Sequence, residues 1–579
     1  MNDYRRLRDR KLVQWALAYL AGAWLLLQLI GLLGDSFSWP QLVGRAAAVL
    51  LGVGFLAALV VAWYHGEKGS QRVGGVELLM LAGILVIAGA AVDFFARSAP
   101  ADSETAGADP AAEVAVGEAA EQGSIAVLPF VNMSSDPEQE YFSDGLTEEL
   151  LNVLAQLPEL RVASRTSAFA FKGQDVGIDS IGRALHVAHV VEGSVRASRS
   201  QMRITAQLID ARTGYHLWSA SYDRHYRDIF AIQDEISRAI VAALRLRLSG
   251  DATGGGAQLA ATETADPEAH TLLLQGLAAQ RLQTNAGLRR ALELYRAAVA
   301  RDRDYLQARA RLAHALGNAA YAGLIPREAG YRQARLEAER VLAVDSANSL
   351  AHTVLGRIAD WHDWNWSAAQ AHYARALASN PNDANAHAQL AWLLMRLGQP
   401  ERALAEARRA LQLDPLAAAT SSNLGAVYMY AGQFQQAITH CRNAVALAPD
   451  ATGLLANLAF AYSFAGDHAA AIQTLERART LEPRDGYVLS TLAYVYGRAG
   501  RPREAERAIA ALEALPAVQR TERATAHMGL GETDLVFEEL EKAVAEREDF
   551  VADLGIDPVY APLRGDPRFQ QLIAKIGLK

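Results

Sequence analysis

Small, bulky and polar positions recur along Ala384 to Asp485 with a period of 34 residues, in three successive blocks without a gap. Each block has a Leu before a small residue (Leu390-Ala391, Leu424-Gly425, Leu458-Ala459) and then a Gly (Gly398, Gly432, Gly466). Two Ala follow at fixed spacing, first Ala403, Ala437 and Ala471, then Ala410, Ala444 and Ala478, and each block closes on Pro415, Pro449 or Pro483. Small residues so placed let two antiparallel helices approach closely, so every block predicts a helix, a turn and a second helix. Weaker copies flank the three. Ala291, Tyr295 and Ala298 fit a second helix, and Leu312 with Ala334, Ala338 and Asp345 fits another unit with an insertion around Gly323 to Arg332. Leu355-Gly356 opens a unit whose turn is rewritten as DWHDWNW, where the three Trp brace the turn. A further unit starts at Gly486, and a partial one has Gly531, Phe537, Leu540 and Ala543. The ending YAPLRGDPRFQQLIAKIGL is expected to cap the core of the final unit.

The first hundred residues follow another pattern. Apolar runs at about Leu12 to Leu33, Leu42 to Tyr64 and Val76 to Phe95 are each long enough to cross a bilayer, and Trp15, Trp39 and Trp63 sit near their ends. Arg5, Arg6, Arg8, Arg10 and Lys11 precede the first run and Lys68 and Arg72 follow the second, against Arg45 and Arg97 on the other side. That bias predicts a cytoplasmic N-terminus and a chain outside the cytoplasm after about Arg97; a cytoplasmic soluble part is the alternative. Asp93 is four residues before Arg97, which suits an interfacial pair, and Gln28 suits a bond to a neighbouring helix. Gly44, Ala48 and Gly52 are spaced for close helix packing, which permits a homo-oligomer. Ser98 to Gly123, with six acidic residues and no basic or aromatic ones, is a spacer.

From Ser124 the period changes again. SIAVLPF predicts a strand, a helix runs to about Leu157, RVASRTS predicts a second strand, and a helix lies near Ile178 to His186. His189 to Arg196 and Met202 to Asp210 read as paired strands, with Ile204, Ala206 and Leu208 facing one way, before a last strand HLWSASY and a closing helix from Ile229 to Leu248.

Two resemblances follow from these residues. The 34-residue blocks resemble the tetratricopeptide repeat, a helix-turn-helix unit that stacks into a solenoid. SIAVLPFVNMSSDPEQEYFSDGLTEELL together with VVEGSVRASRSQMRITAQLIDARTGYHLWSASYDR resembles the TolB amino-terminal-like, or FlgO-like, domain of bacterial envelope proteins. Relatives of that domain stand beside such repeats in membrane proteins whose cytoplasmic ends carry a winged-helix domain, an adenylate cyclase or a kinase. About eleven residues precede the first apolar run, too few for any of these, so their activities are not carried over. The expected fold class is multidomain: three transmembrane α-helices (1–97), an acidic linker (98–123), a small TolB N-terminal-like α/β domain (124–250), a Gly-rich linker (251–266) and an all-α tetratricopeptide-repeat solenoid with its cap (267–579). The resemblance implies a bacterial inner-membrane protein, and the charge bias across the spans puts its soluble domains in the periplasm.

Composition narrows the function. A net charge of -8 argues against nucleic acid as a partner, since phosphate neutralisation needs a clustered positive face. The single Cys441 excludes an intramolecular disulfide and falls where it packs its repeat. No phosphate-cradling Gly loop ending in Lys-Ser or Lys-Thr, no Gly-x-Ser-x-Gly turn and no paired-His helix occurs, so no catalytic residue, metal or cofactor is expected. His186 and His189 straddle a helix end and a strand start; Asp136, Glu138 and Glu140 read as a solvated loop, and Trp218 as a core strand residue. Helical spacing places the second, fifth, ninth, twelfth and thirteenth positions of each first helix on the concave face. There stand Trp392, Met395, Arg396, Met429, Tyr430, Phe460, Phe464, Tyr487, Tyr494 and Arg498. Aromatics, Met and Arg on one groove suit binding of a protein or peptide segment; packing of that stripe against the chain's own terminal helices is the alternative. The expected function is a membrane-anchored, non-enzymatic adaptor or scaffold. Its partners are proteins or peptides and, through the three spans, the bilayer. The competing class is a signalling subunit, or an enzyme whose chemistry lies in the α/β domain or in a partner cyclase or kinase.

Overall fold

The alternating apolar residues of SIAVLPF divide between two faces of a sheet, as the two-residue period of a strand requires. Ile125, Val127 and Phe130 join one core and Ala126 and Leu128 another. The computed structural model describes residues 123–134, 139–197, 201–225, 235–243, 264, 266–282 and 284–578. In order these form β1 (Ser124–Val127), β2 (Val131–Asn132), α1 (Glu140–Ala155), β3 (Arg161–Val162), α2 (Arg165–Phe169), α3 (Ile178–Leu185), β4 (His189–Ala197), β5 (Gln201–Asp210) and β6 (His216–His225). The strand order is β3-β1-β4-β5-β6, with β2 also on β4; β1 runs parallel to β3 and β4, and β4-β5-β6 is an antiparallel meander. Ile204, Ala206 and Leu208 of β5 share its buried face. RVASRTS is a strand only over its first two residues. Ser164 then turns the chain by donating its backbone N–H to the Leu413 carbonyl, and α2 begins.

Residues 235–243 are helical, and from Pro267 on seventeen α-helices follow among the described residues: α4 (Pro267–Gln280), α5 (Asn285–Arg301), α6 (Leu306–Tyr321), α7 (Arg327–Val344), α8 (Ser349–Arg357), α9 (Trp366–Ser379), α10 (Ala384–Arg396), α11 (Pro400–Leu413), α12 (Ala418–Tyr430), α13 (Phe434–Leu447), α14 (Thr452–Phe464), α15 (His468–Leu481), α16 (Gly486–Arg498), α17 (Pro502–Glu513), α18 (Arg520–Leu530), α19 (Thr533–Glu546) and α20 (Pro567–Lys575). Two 3-10 turns, Asp549–Asp553 and Pro558–Leu563, lie between α19 and α20. The recurring Gly residues earn their place at the turn inside each repeat. Gly398, Gly432, Gly466 and Gly500 have φ of 70°, 75°, 87° and 71°, which an L side chain adopts only with strain. Asp383, Asp467 and Asp485 cap the helices that follow them by accepting backbone N–H groups. Gly425 of α12 lies against Cys441 of α13, the close approach that the small-residue spacing anticipates.

One expectation requires correction. Among the described residues no helix is long and apolar enough to cross a membrane. The fold of the described residues is a tetratricopeptide-like helical solenoid with a small sheet region, and no transmembrane helix occurs among them. The reason is amphipathicity: even α7, at 18 residues, buries one stripe and carries Arg and Glu on the rest. The runs Leu12 to Leu33, Leu42 to Tyr64 and Val76 to Phe95, the acidic spacer and the Gly-rich stretch at Gly250 to Gly256 lie outside the described residues.

The C-terminal segment packs on the last helices, with Phe569, Leu572 and Ile573 in one core with Val536, Phe537 and Leu540. Its 3-10 turns do more than cap the last helix pair: Val551, Ala552, Leu554, Val559 and Tyr560 join the core shared by α9 to α19, and Trp366 donates its indole N–H to the Ile576 carbonyl at 3.2 Å. The terminal segment thus folds back onto the inner face of the array. At the other end, the sheet is joined to the repeats. Asn382 accepts from the Val162 N–H and donates to the Ala155 and Leu160 carbonyls, and Asp414 accepts from both the N–H and the hydroxyl of Ser167 at 3.0 and 2.6 Å.

Candidate functional site

The first helix of each pair lines the inside of the array, and a cavity of about 690 Å³ opens there. Of the ten concave-face residues expected from the sequence, six line it: Trp392, Met429, Tyr430, Phe460, Phe464 and Tyr487. Five of them are aromatic, and their rings pack in two groups, Trp392 with Tyr430 and Phe460 with Phe464 and Tyr487. Trp392 meets Tyr430 edge-on at 5.3 Å, Phe460 stacks on Phe464 at 5.8 Å, and Tyr487 stacks on Phe550 of the terminal segment at 6.4 Å. The other four are elsewhere. Met395 and Tyr494 are buried, with Tyr494 5.8 Å from Phe460, while Arg498 is exposed outside the cavity.

Arg396 has become internal structure. Its side chain is fully buried between two carboxylates, Asp360 at 2.5 Å and Asp553 at 2.6 Å, and it lies 4.5 Å over the Trp361 ring. Against burial, which opposes its charge, the two carboxylates hold the guanidinium firmly protonated. Burial pushes Asp360 up, with Arg396 pulling it back. A groove residue expected to meet a partner is therefore committed to the chain's own terminal turn.

Several lining residues escaped the sequence reading. Gln389, Asn423 and Asn457 recur every 34 residues at the sixth position of their helices and present amides to the cavity. That period was the signal that could have found them. Asn457 donates to the Ser422 hydroxyl and accepts from Tyr487, and Gln389 accepts from Trp361. The Asn423 side chain makes no hydrogen bond among the described residues. His314, Tyr321 and Arg357 come from the degenerate repeats, and Asp553, Asp557 and Tyr560 from the terminal segment. Burial drives the His314 imidazole down to about 3, helped by Arg357 and Arg311, so it is neutral.

A second, more polar cavity of about 1960 Å³ lies between the sheet region and α4 to α12. His314, Arg357, Ala419 and Asn423 line both cavities, which are therefore neighbours. Glu148 forms ion pairs there with Arg165 and Arg311, and Asp144 with Lys172 and Arg281, so these charges are internally matched. Elsewhere, His189 contacts the Ser124 carbonyl, whereas the His186 carbonyl accepts from Arg161, so the two histidines serve separate backbone contacts. No group of three or more His, Cys, Asp or Glu able to hold a metal occurs among the described residues. Asp136 and Glu138 lie outside them. Cys441 is buried and its thiol is pushed up to about 12, which leaves it unreactive.

Comparison with known proteins agrees with this geometry over the regular repeats. Family models described as tetratricopeptide repeat match residues 372–405 and 416–484, and these segments are tetratricopeptide repeats. A curated relative, "Putative adenylate cyclase 3" of Rhizobium meliloti (strain 1021), is 48% identical over 163 residues. That stretch is 28% of this chain and 27% of the relative, so the chain spans about a quarter of the relative it matches. Among solved structures, the type IV pilus biogenesis factor PilW is 24% identical, covering 35% of this chain and 93% of that one with a TM-score of 0.31. YrrB, titled a TPR protein with an unusual peptide-binding site, is 17% identical over 34% of this chain and 97% of that one, with a TM-score of 0.26.

Proposed function

We propose that this protein is an interaction adaptor that receives an extended protein or peptide segment in the channel along the inner face of its repeats, and that it performs no chemistry of its own. The observation that carries the reading is the aromatic lining formed by Trp392, Tyr430, Phe460, Phe464 and Tyr487 in a cavity that shares four lining residues with a larger polar one. Rigid aromatics offer large contact area at low entropic cost, and the amides of Gln389, Asn423 and Asn457 suit the carbonyl and N–H groups of a backbone. The sheet region, read as the TolB amino-terminal-like domain that its sequence resembles, walls one end of the channel.

Cross-linking tests this. A photoreactive residue at Ala419, an exposed position lining both cavities, is expected to capture a polypeptide, whereas one at exposed Ala405 on α11 is not. Adducts at both positions, or at neither, count against the channel.

A second reading is favoured by the relative named an adenylate cyclase: a signalling subunit that shares one module with such an enzyme. Incubating the purified full chain with ATP separates the two. Cyclic nucleotide formed by the chain alone would replace the adaptor reading with an enzymatic one.

A further inference from the structure

The terminal segment contributes to the cavity a carboxylate without a matching cation. Asp557 lines the aromatic cavity at the start of the second 3-10 turn, where it accepts the Val559 N–H at 2.8 Å. No Lys, Arg or His forms an ion pair with it among the described residues. Arg564, a nearby cation, donates to the backbone carbonyls of Ile556 and Asp557 instead. Asp553, one turn earlier, is balanced by Arg396, but Arg396 is shared with Asp360, so that buried group of three carries one negative charge in excess. Glu522 adds a third carboxylate to the lining, and its Oε2 accepts the Gln519 N–H. Arg357, a cation that lines both cavities, donates to Asn318.

The aromatic lining has the complementary property. Faces of Trp and Tyr attract a cation through their quadrupole, and the attraction grows as water is excluded. Asp557 is half-buried, and a carboxylate that has lost part of its hydration beside such faces is favoured by a pairing cation. Burial pushes Asp557 up to about 7, with Asp553 adding to it and the Val559 N–H and Arg564 pulling it back. We infer that the aromatic cavity is an anchor pocket for a Lys or Arg side chain of the bound segment, with Asp557 as its counter-ion and Tyr430 and Tyr487 among its walls. This rests on the channel reading above and adds the partner's chemistry: a basic, extended peptide segment.

The probe is a phage-displayed library of random 12-residue peptides, panned against the full chain, with binders kept only if the channel-filling change Ala419→Trp removes them. The expected result is a shared Lys or Arg at one register. A synthetic binder should lose at least tenfold in affinity when that residue is replaced by norleucine, and similarly against Asp557→Asn, with partial recovery in Asp557→Glu. Asn keeps an oxygen to accept the Val559 N–H, so the turn is preserved, and the norleucine exchange leaves the protein untouched. Channel-dependent binders that lack a basic residue, or that ignore Asp557→Asn, would overturn the cation pocket while leaving the channel standing. If no binder depends on Ala419, both readings fall.

Discussion

Arg396 and Asp557 show how far a residue's role depends on distant chain. Arg396 occupies a concave position by helical spacing, yet the charges that claim it come from the turn after α8 and from the terminal segment, 36 and 157 residues away. Removing one member of a buried ion group leaves uncompensated charge, so Arg396→Met is expected to cost about 3–5 kcal/mol of stability. Urea unfolding checks this; an unchanged midpoint would mean that the three groups are not buried together. Asp557 gives a pH dependence of definite sign. Its carboxyl is raised from 3.8 to about 7, so the folded state holds the proton more tightly than the unfolded one. Its stabilising contribution is full below about 3.8 and is lost as pH rises through 7. The melting temperature of the parent relative to Asp557→Asn should therefore fall between pH 4 and about 7 and stay level above it. A constant difference across that range would contradict the assignment.

At the scale of elements, the repeat pattern carried most of the information. Small residues at Gly425 and Ala437, and left-handed glycines such as Gly432, are local requirements of a helix pair, so periodicity alone identifies them. The amides at Gln389, Asn423 and Asn457 obeyed the same period and lay one position outside the set taken as concave. Short elements were less legible. RVASRTS has strand-like composition, but its second half is helical because Ser164 and Ser167 bind the loop between α11 and α12. That junction makes its own prediction. Asp414→Ala removes the acceptor for two Ser167 donors, an expected loss of about 1–3 kcal/mol, and hydrogen exchange should quicken at Val162 to Ala168. Unchanged exchange there would mean that the sheet is held by its apolar contacts alone.

At the scale of the whole molecule, the array closes on itself through its last thirty or so residues. A chain ending at Glu548 would leave Arg396 with Asp360 alone, uncover Tyr487 where Phe550 stacks, and strip Tyr560 from the core. It should bind more of an apolar dye and unfold at a lower temperature, with the loss greatest in α8 to α10; an unchanged melting curve would mean that the terminal turns merely rest on the surface. The sequence by itself determined the helix pairs, their turns and the aromatic character of the inner face, because these follow from residues within 34 positions of one another. Only the tertiary structure decided which of those residues remain open. Met395, Arg396 and Tyr494 are covered and Trp392, Tyr430, Phe464 and Tyr487 line a cavity, because the superhelical return of the array and the burial of Val551, Val559 and Tyr560 bring together segments that no local period relates.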